Sequence, residues 1–115
     1  MEISVTHIPP IHKLCLSGRW DAFTAKDFES LTGELVRDND MRFVVLDLAD
    51  VDYVSSFGLR SLLGLGKLLE PLGGAIHVAA LRSQVEKVFV GCGFGSLFPA
   101  FPDADAAAAA FSERA

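Results

Sequence analysis

The chain is poor in the residue types that announce most functions. It has 2 cysteines in 115 residues, too few for a disulfide scaffold. Cys15 falls in a strand-like segment and Cys92 in a glycine-rich one, so a reduced, cytoplasmic protein is expected. Basic residues are outnumbered: 10 Lys and Arg stand against 15 Asp and Glu, a formal charge of −5. There is no basic footprint for nucleic acid or anionic lipid. No apolar run approaches the roughly 20 residues of a membrane span, and no membrane association is expected. Met1-Glu2-Ile3-Ser4 lacks the basic-then-apolar layout of a signal peptide. His7, His12 and His77 sit in strand-like segments without ligand spacing or a partner cluster. They read as satisfied or exposed histidines, so neither a metal site nor a cofactor is expected.

What is present is apolar material in short periodic pieces. Hydrophobic residues make up 50% of the chain, enough for the core of a single domain over residues 1–115. Ile3, Val5 and His7 alternate with Ser4 and Thr6, which is strand period. Pro9-Pro10 breaks that strand, and His12 to Leu16 reads as a second one, so an antiparallel hairpin is expected. Gly18-Arg19-Trp20-Asp21 leads into a helix, with Thr24 and Asp27 resembling a capping box and Phe28, Leu31 and Leu35 at helical spacing. Phe43 to Leu48 suits a central strand covered on both faces. Asp50 to Val54 reads as a loop, and Leu59 to Leu69 as a well-buried helix ended by Pro71 and Gly73-Gly74. Ala75 to Ala80 is another short strand, followed by a short helix after Ser83. Phe98 and Phe101 are assigned to a last edge strand, and Asp103 to Phe111 to an alanine-rich helix capped by Asp103 or Asp105. The order is β-β-α-β-α-β-α-(β)-α. It predicts an α/β fold with a mixed, mostly parallel sheet of four to five strands and about four helices.

Ser55-Ser56-Phe57-Gly58-Leu59-Arg60 is the most informative stretch. It sets a hydroxyl pair where a strand hands over to a helix. The first turn of a helix carries unpaired N–H groups and the positive end of the macrodipole. A serine there is either an ordinary cap or a site at which an added phosphate is electrostatically tolerated.

Other chemistry is weaker. Gly91-Cys92-Gly93-Phe94-Gly95 superficially resembles a phosphate loop but lacks the Lys-Ser/Thr of a P-loop, and a helix stop is the better reading. Ser56 lacks a nucleophile-elbow pattern and a base placed beside it, so no catalytic residue is assigned. Asp21, Asp50 and Asp52 read as loop and cap carboxylates. The Asp21 and Ser56 loops both follow strands, and at a common sheet end they would build an acidic rim around the serine.

With that order in place, the chain resembles the STAS domain, the fold of bacterial anti-sigma-factor antagonists. The resemblance rests on Gly18-x-x-Asp21-x-x-Thr24-Ala25, the strand Val44 to Leu48, Ser56-x-Gly58-Leu59 and Leu72-Gly73-Gly74, in this order. It departs from the family pattern in having Ser55 where Asp precedes the phosphorylated serine, and Phe57 where a small residue follows it. The resemblance implies a non-enzymatic switch. The unmodified form sequesters an anti-sigma factor that is also an ATP-binding serine kinase of the histidine-kinase-like type. Phosphorylation of Ser56, with Ser55 as the alternative acceptor, releases it, and a metal-dependent serine phosphatase resets the cycle. Partner contacts are then expected from Asp21, Thr24, Ser55, Ser56, Phe57, Gly58, Leu59 and Arg60. The competing reading is a constitutive STAS subunit of a transporter, lipid-trafficking or signalling complex.

Overall fold

Residues 1–112 are described by the computed structural model. The expected span of 1–115 therefore ends three residues beyond the described part. The chain opens with β1 (Glu2–Ile8) and β2 (Ile11–Trp20), joined across Pro9-Pro10 into an antiparallel hairpin. Then come α1 (Ala22–Asp38), β3 (Phe43–Val54), α2 (Ser56–Leu69), β4 (Ala75–Ala79), α3 (Ser83–Gly91), β5 (Ala100–Phe101) and α4 (Ala104–Ser112). Short 3-10 turns at Glu70–Leu72 and Phe94–Ser96 follow α2 and α3. The strands lie in sequence order, and every pairing after the hairpin is parallel. The expected mixed, mostly parallel sheet is therefore observed, with five strands and four helices among the described residues.

Strand period sorts the sheet into two faces. Leu14, Leu16, Val44, Leu46 and Val78 point into the main core, which they share with Phe28 of α1, Leu62, Leu65 and Leu69 of α2, and Phe89 of α3. Val45 and Ala79 face the other way, onto Ala107 and Phe111 of α4. His77 joins this second cluster: its Nδ1 lies 2.9 Å from the Ala107 carbonyl and its ring stacks on Phe111 at 3.6 Å.

Several sequence boundaries are corrected. Gly18-Arg19-Trp20 does not lead out of the sheet; it belongs to β2. Asp50 to Val54 is not a loop but the end of β3, paired with Ser17 to Trp20. Two register shifts in that pairing, between Cys15 and Ser17 and between Gly18 and Arg19, break the alternation that would mark a strand in the sequence. The first-helix cap is Asp21, not Thr24. Thr24 is the third helical residue, and its hydroxyl accepts from the Asp21 N–H at 2.8 Å. Phe98 is buried in the main core rather than in β5. Asp103 caps α4, its Oδ1 accepting from the Ala106 N–H at 2.8 Å. The Gly91–Gly95 segment does stop α3, with Gly93 at φ +81°. His12 is neither exposed nor fully hydrogen-bonded: it is 3% exposed, and its Nδ1 has no hydrogen-bond partner among the described residues.

Candidate functional site

Parallel pairing of β2 with β3 ends at Trp20 opposite Val54, and each strand runs straight into a helix. The starts of α1 and α2 therefore stand side by side at one end of the sheet. A main-chain bond joins them, the Ser55 N–H donating to the Trp20 carbonyl at 2.9 Å. Asp21 and Ser56, distant in sequence, are brought to one surface as expected.

The two helix starts are built alike. In α1, Asp21 Oδ1 accepts from the Phe23 and Thr24 N–H groups at 3.1 and 3.2 Å. The Thr24 N–H first, then that of Phe23, the Thr24 hydroxyl and nearby Arg19 hold the Asp21 carboxyl below the usual carboxylate range. In α2, Ser55 is the cap, its Oγ accepting from the Gly58 N–H at 3.3 Å. Ser56 is the first helical residue and is exposed. The hydroxyl pair is thus divided. Ser55 closes the helix end, and the Ser56 hydroxyl has no hydrogen-bond partner among the described residues.

Each cap is followed two residues later by an exposed phenylalanine. Phe23 is 83% exposed and Phe57 is 51% exposed. Two arginines border them. The Arg19 guanidinium lies 4.1 Å above the ring of Tyr53, and that of Arg60 lies 5.7 Å from the Phe57 ring centre. Phe23, Tyr53 and Arg19 were not singled out from the sequence. The signal for Phe23 was available, since an apolar residue in the first turn lies off the buried stripe of Ala25, Phe28, Thr32 and Val36. The Arg19–Tyr53 contact needs the strand register, which a sequence does not print.

Not every expected contact residue is free to make contacts. Gly58 is buried, and a Cβ there would come within 2.8 Å of the Trp20 carbonyl and 2.9 Å of the Trp20 ring. Leu59 packs against the main core. Thr24 is held in the capping box. Ser56, Phe57 and Arg60 are exposed. The charge at this end is also mixed. Asp52 is exposed on β3, Arg19 acts on the Asp21 carboxylate, and Arg60 is exposed beside Phe57. Asp50 lies further back along β3, opposite Ser17. Among the described residues no group of three or more His, Cys, Asp or Glu side chains could hold a metal. No described helix is long and apolar enough to cross a membrane.

Comparison with known proteins gives consistent results. The family model described as the STAS domain matches residues 2–107. BtrV of Bordetella bronchiseptica, which carries the name anti-sigma factor antagonist, is 37% identical over 111 residues, covering 96% of this chain and 95% of that one. The crystal structure of an anti-sigma factor antagonist from Mycobacterium paratuberculosis superposes with a TM-score of 0.84 at 26% identity, over 95% of this chain and 92% of the other. SpoIIAA, a Bacillus cell fate determinant, has the same fold. Its unphosphorylated form gives a TM-score of 0.77 at 14% identity, over 97% and 98% of the two chains. Its phosphorylated form gives 0.73 at 15% identity, over 91% and 96%.

Proposed function

This chain belongs to the STAS domain family, and we propose that it is an anti-sigma-factor antagonist switched by phosphorylation of Ser56. In this reading the unmodified protein binds an anti-sigma factor that is also an ATP-binding serine kinase of the histidine-kinase-like type. Binding occupies that factor and frees its sigma factor. The Ser56 Oγ then attacks the γ-phosphoryl group of ATP in the kinase site. An O–P bond forms, the bond from phosphorus to the β,γ-bridging oxygen breaks, ADP leaves, and the hydroxyl proton passes to a base of the kinase. A metal-dependent phosphatase hydrolyses the ester. The protein itself supplies no catalytic group, and its place of work is the cytoplasm.

One observation carries this reading: the division of labour between the two serines. Because Ser55 caps α2, Ser56 presents an exposed hydroxyl with no structural task at the start of a helix. The naming of relatives such as BtrV as anti-sigma factor antagonists supports the partner class. Phosphate at this position is compatible with folding, since the first turn of α2 holds no acidic side chain and its dipole favours negative charge. A partner packed over Phe23, Ser56 and Phe57 would meet both the bulk and the charge.

The test is intact-mass measurement and phosphosite mapping after incubation with ATP and a kinase-type anti-sigma factor that binds the unmodified protein. A single added phosphoryl group on Ser56 is expected. Labelling on Ser55 alone would overturn the choice of acceptor. Absence of labelling together with stable binding would favour a constitutive STAS subunit of a larger complex.

A further inference from the structure

We infer that Arg60 is the internal partner of a phosphate on Ser56, and that taking up this role withdraws Arg60 from Phe57. The inference rests on the proposed modification of Ser56. Ser56 and Arg60 are the first and fifth residues of α2. Residues four apart on a helix share a face, with Cβ atoms about 5–6 Å apart. A guanidinium on a side chain of that length reaches a phosphate one turn away, and its fork suits phosphate oxygens.

Arg60 is uncommitted. The one ion pair among the described residues joins Arg42 to Asp40 at 3.7 Å, so Arg60 has no carboxylate to give up. Its neighbour is the ring of Phe57, 5.7 Å away, near the outer limit of about 6 Å for a cation–π contact. A phosphate dianion on the same face offers the guanidinium charge-assisted hydrogen bonds in place of that contact. Arg19, the other cation at this end, is differently placed: it stacks on Tyr53 at 4.1 Å and lends its charge to Asp21. Other charged or titratable groups near this surface include Asp21 at the start of α1, Asp52 and Tyr53 at the end of β3, and Arg82 before α3, which donates to the Ala49 carbonyl at 2.8 Å.

Phosphorylation would then do more than add charge. The surface loses a cation, and the Phe57 ring loses the guanidinium that covers it. A partner that reads Phe57 and Arg60 together finds both altered by one modification. This gives one departure from the family pattern a use: the bulky Phe57 forms with Arg60 a pair that a small residue could not.

The experiment uses the full chain with phosphoserine inserted at position 56 during translation, so it does not depend on any kinase. The probe is the phosphate itself, followed by phosphorus-31 NMR as a function of pH, in the parent and in Arg60→Gln. The second ionisation of phosphoserine falls near pH 6. Arg60 should hold it lower in the parent, so the midpoint should rise by roughly 0.15–0.4 pH unit in Arg60→Gln. The Phe57 ring signals should shift through the same titration in the parent and stay still in the variant. Equal midpoints, or Phe57 signals indifferent to the phosphate in the parent, would overturn the inference. Should Arg60→Gln fail to fold, Arg60→Lys replaces it, with a smaller rise expected and no rise again counting against the pair. Failure of the kinase to label Ser56 would instead remove the proposed function and leave this titration unaffected.

Discussion

Ser55 and Ser56 have the same side chain, and one residue of displacement separates their tasks. The cap must lie outside the helix with extended backbone, as Ser55 does at φ −92° and ψ 172°. Removing its Oγ leaves the Gly58 N–H without its acceptor. Ser55→Ala should therefore cost about 0.5–2 kcal/mol of stability in urea melts and leave most ATP-dependent labelling in place. Ser56→Ala should do the reverse, with unchanged stability and no labelling. Gly58 offers a third case. A Cβ there has nowhere to go, with the Trp20 carbonyl at 2.8 Å and Val54 Cγ2 at 3.0 Å. Gly58→Ala should destabilise by about 1–3 kcal/mol, the usual cost of overpacking, and a loss below about 0.5 kcal/mol in the same melts would contradict this packing. The sequence motif around Ser56 thus mixes two kinds of residue. Gly58 and Leu59 hold the helix on the sheet, whereas Ser56, Phe57 and Arg60 face outward.

At the scale of elements, the start of α1 and the opening hairpin respond to pH in the same direction for different reasons. The Asp21 carboxyl is lowered by the N–H groups it caps. Its stabilising effect is present above the unfolded value of about 3.9 and is lost as pH falls toward the folded value. His12 is lowered by burial first and by neighbouring His7 second. The two imidazoles stack at 3.9 Å across the β1–β2 hairpin. Since the folded state disfavours the charged ring, the unfolded chain binds more protons between the folded pKa and about 6.5. Stability should therefore fall as pH drops below about 6.5 and level off below the folded value. Urea melts at pH 8.0 and 5.5 should show this loss, and His12→Phe should reduce it. An equal loss in the variant would place the effect elsewhere.

The element scale also shows what a sequence can and cannot carry. The hairpin, the central apolar strand, the α2 stripe and the stop after α3 were legible, because each is set by local periodicity or by proline and glycine. The second half of β3 was not. Its aspartates, Asp50 and Asp52, are exposed and look like loop residues, and the register shifts hide the strand period. The capping register at α1 was legible only in part. Both Asp21 and Thr24 are good caps, and the choice depends on where β2 ends. Contacts between elements, such as Ser55 with Trp20 or Arg19 with Tyr53, follow from strand pairing and have no local signature.

For the whole molecule, one end of the sheet presents a small surface around Ser56, and the proposed modification would fall at its centre. Five strands in sequence order place the starts of α1 and α2 next to each other, with caps, aromatic residues and arginines around one exposed hydroxyl. Phosphorylation should leave the fold intact, because the helix start accepts the charge. It should weaken binding, because the partner must approach the same point. The most direct measurement is calorimetric titration of the kinase-type anti-sigma factor with the unmodified protein and with the protein carrying phosphoserine at position 56, with circular dichroism of both forms. The expected result is matching spectra and an affinity weaker by on the order of a hundredfold after phosphorylation, the scale of juxtaposed like charge and excluded contact. Equal affinities with matching spectra would contradict a phosphorylation switch at Ser56.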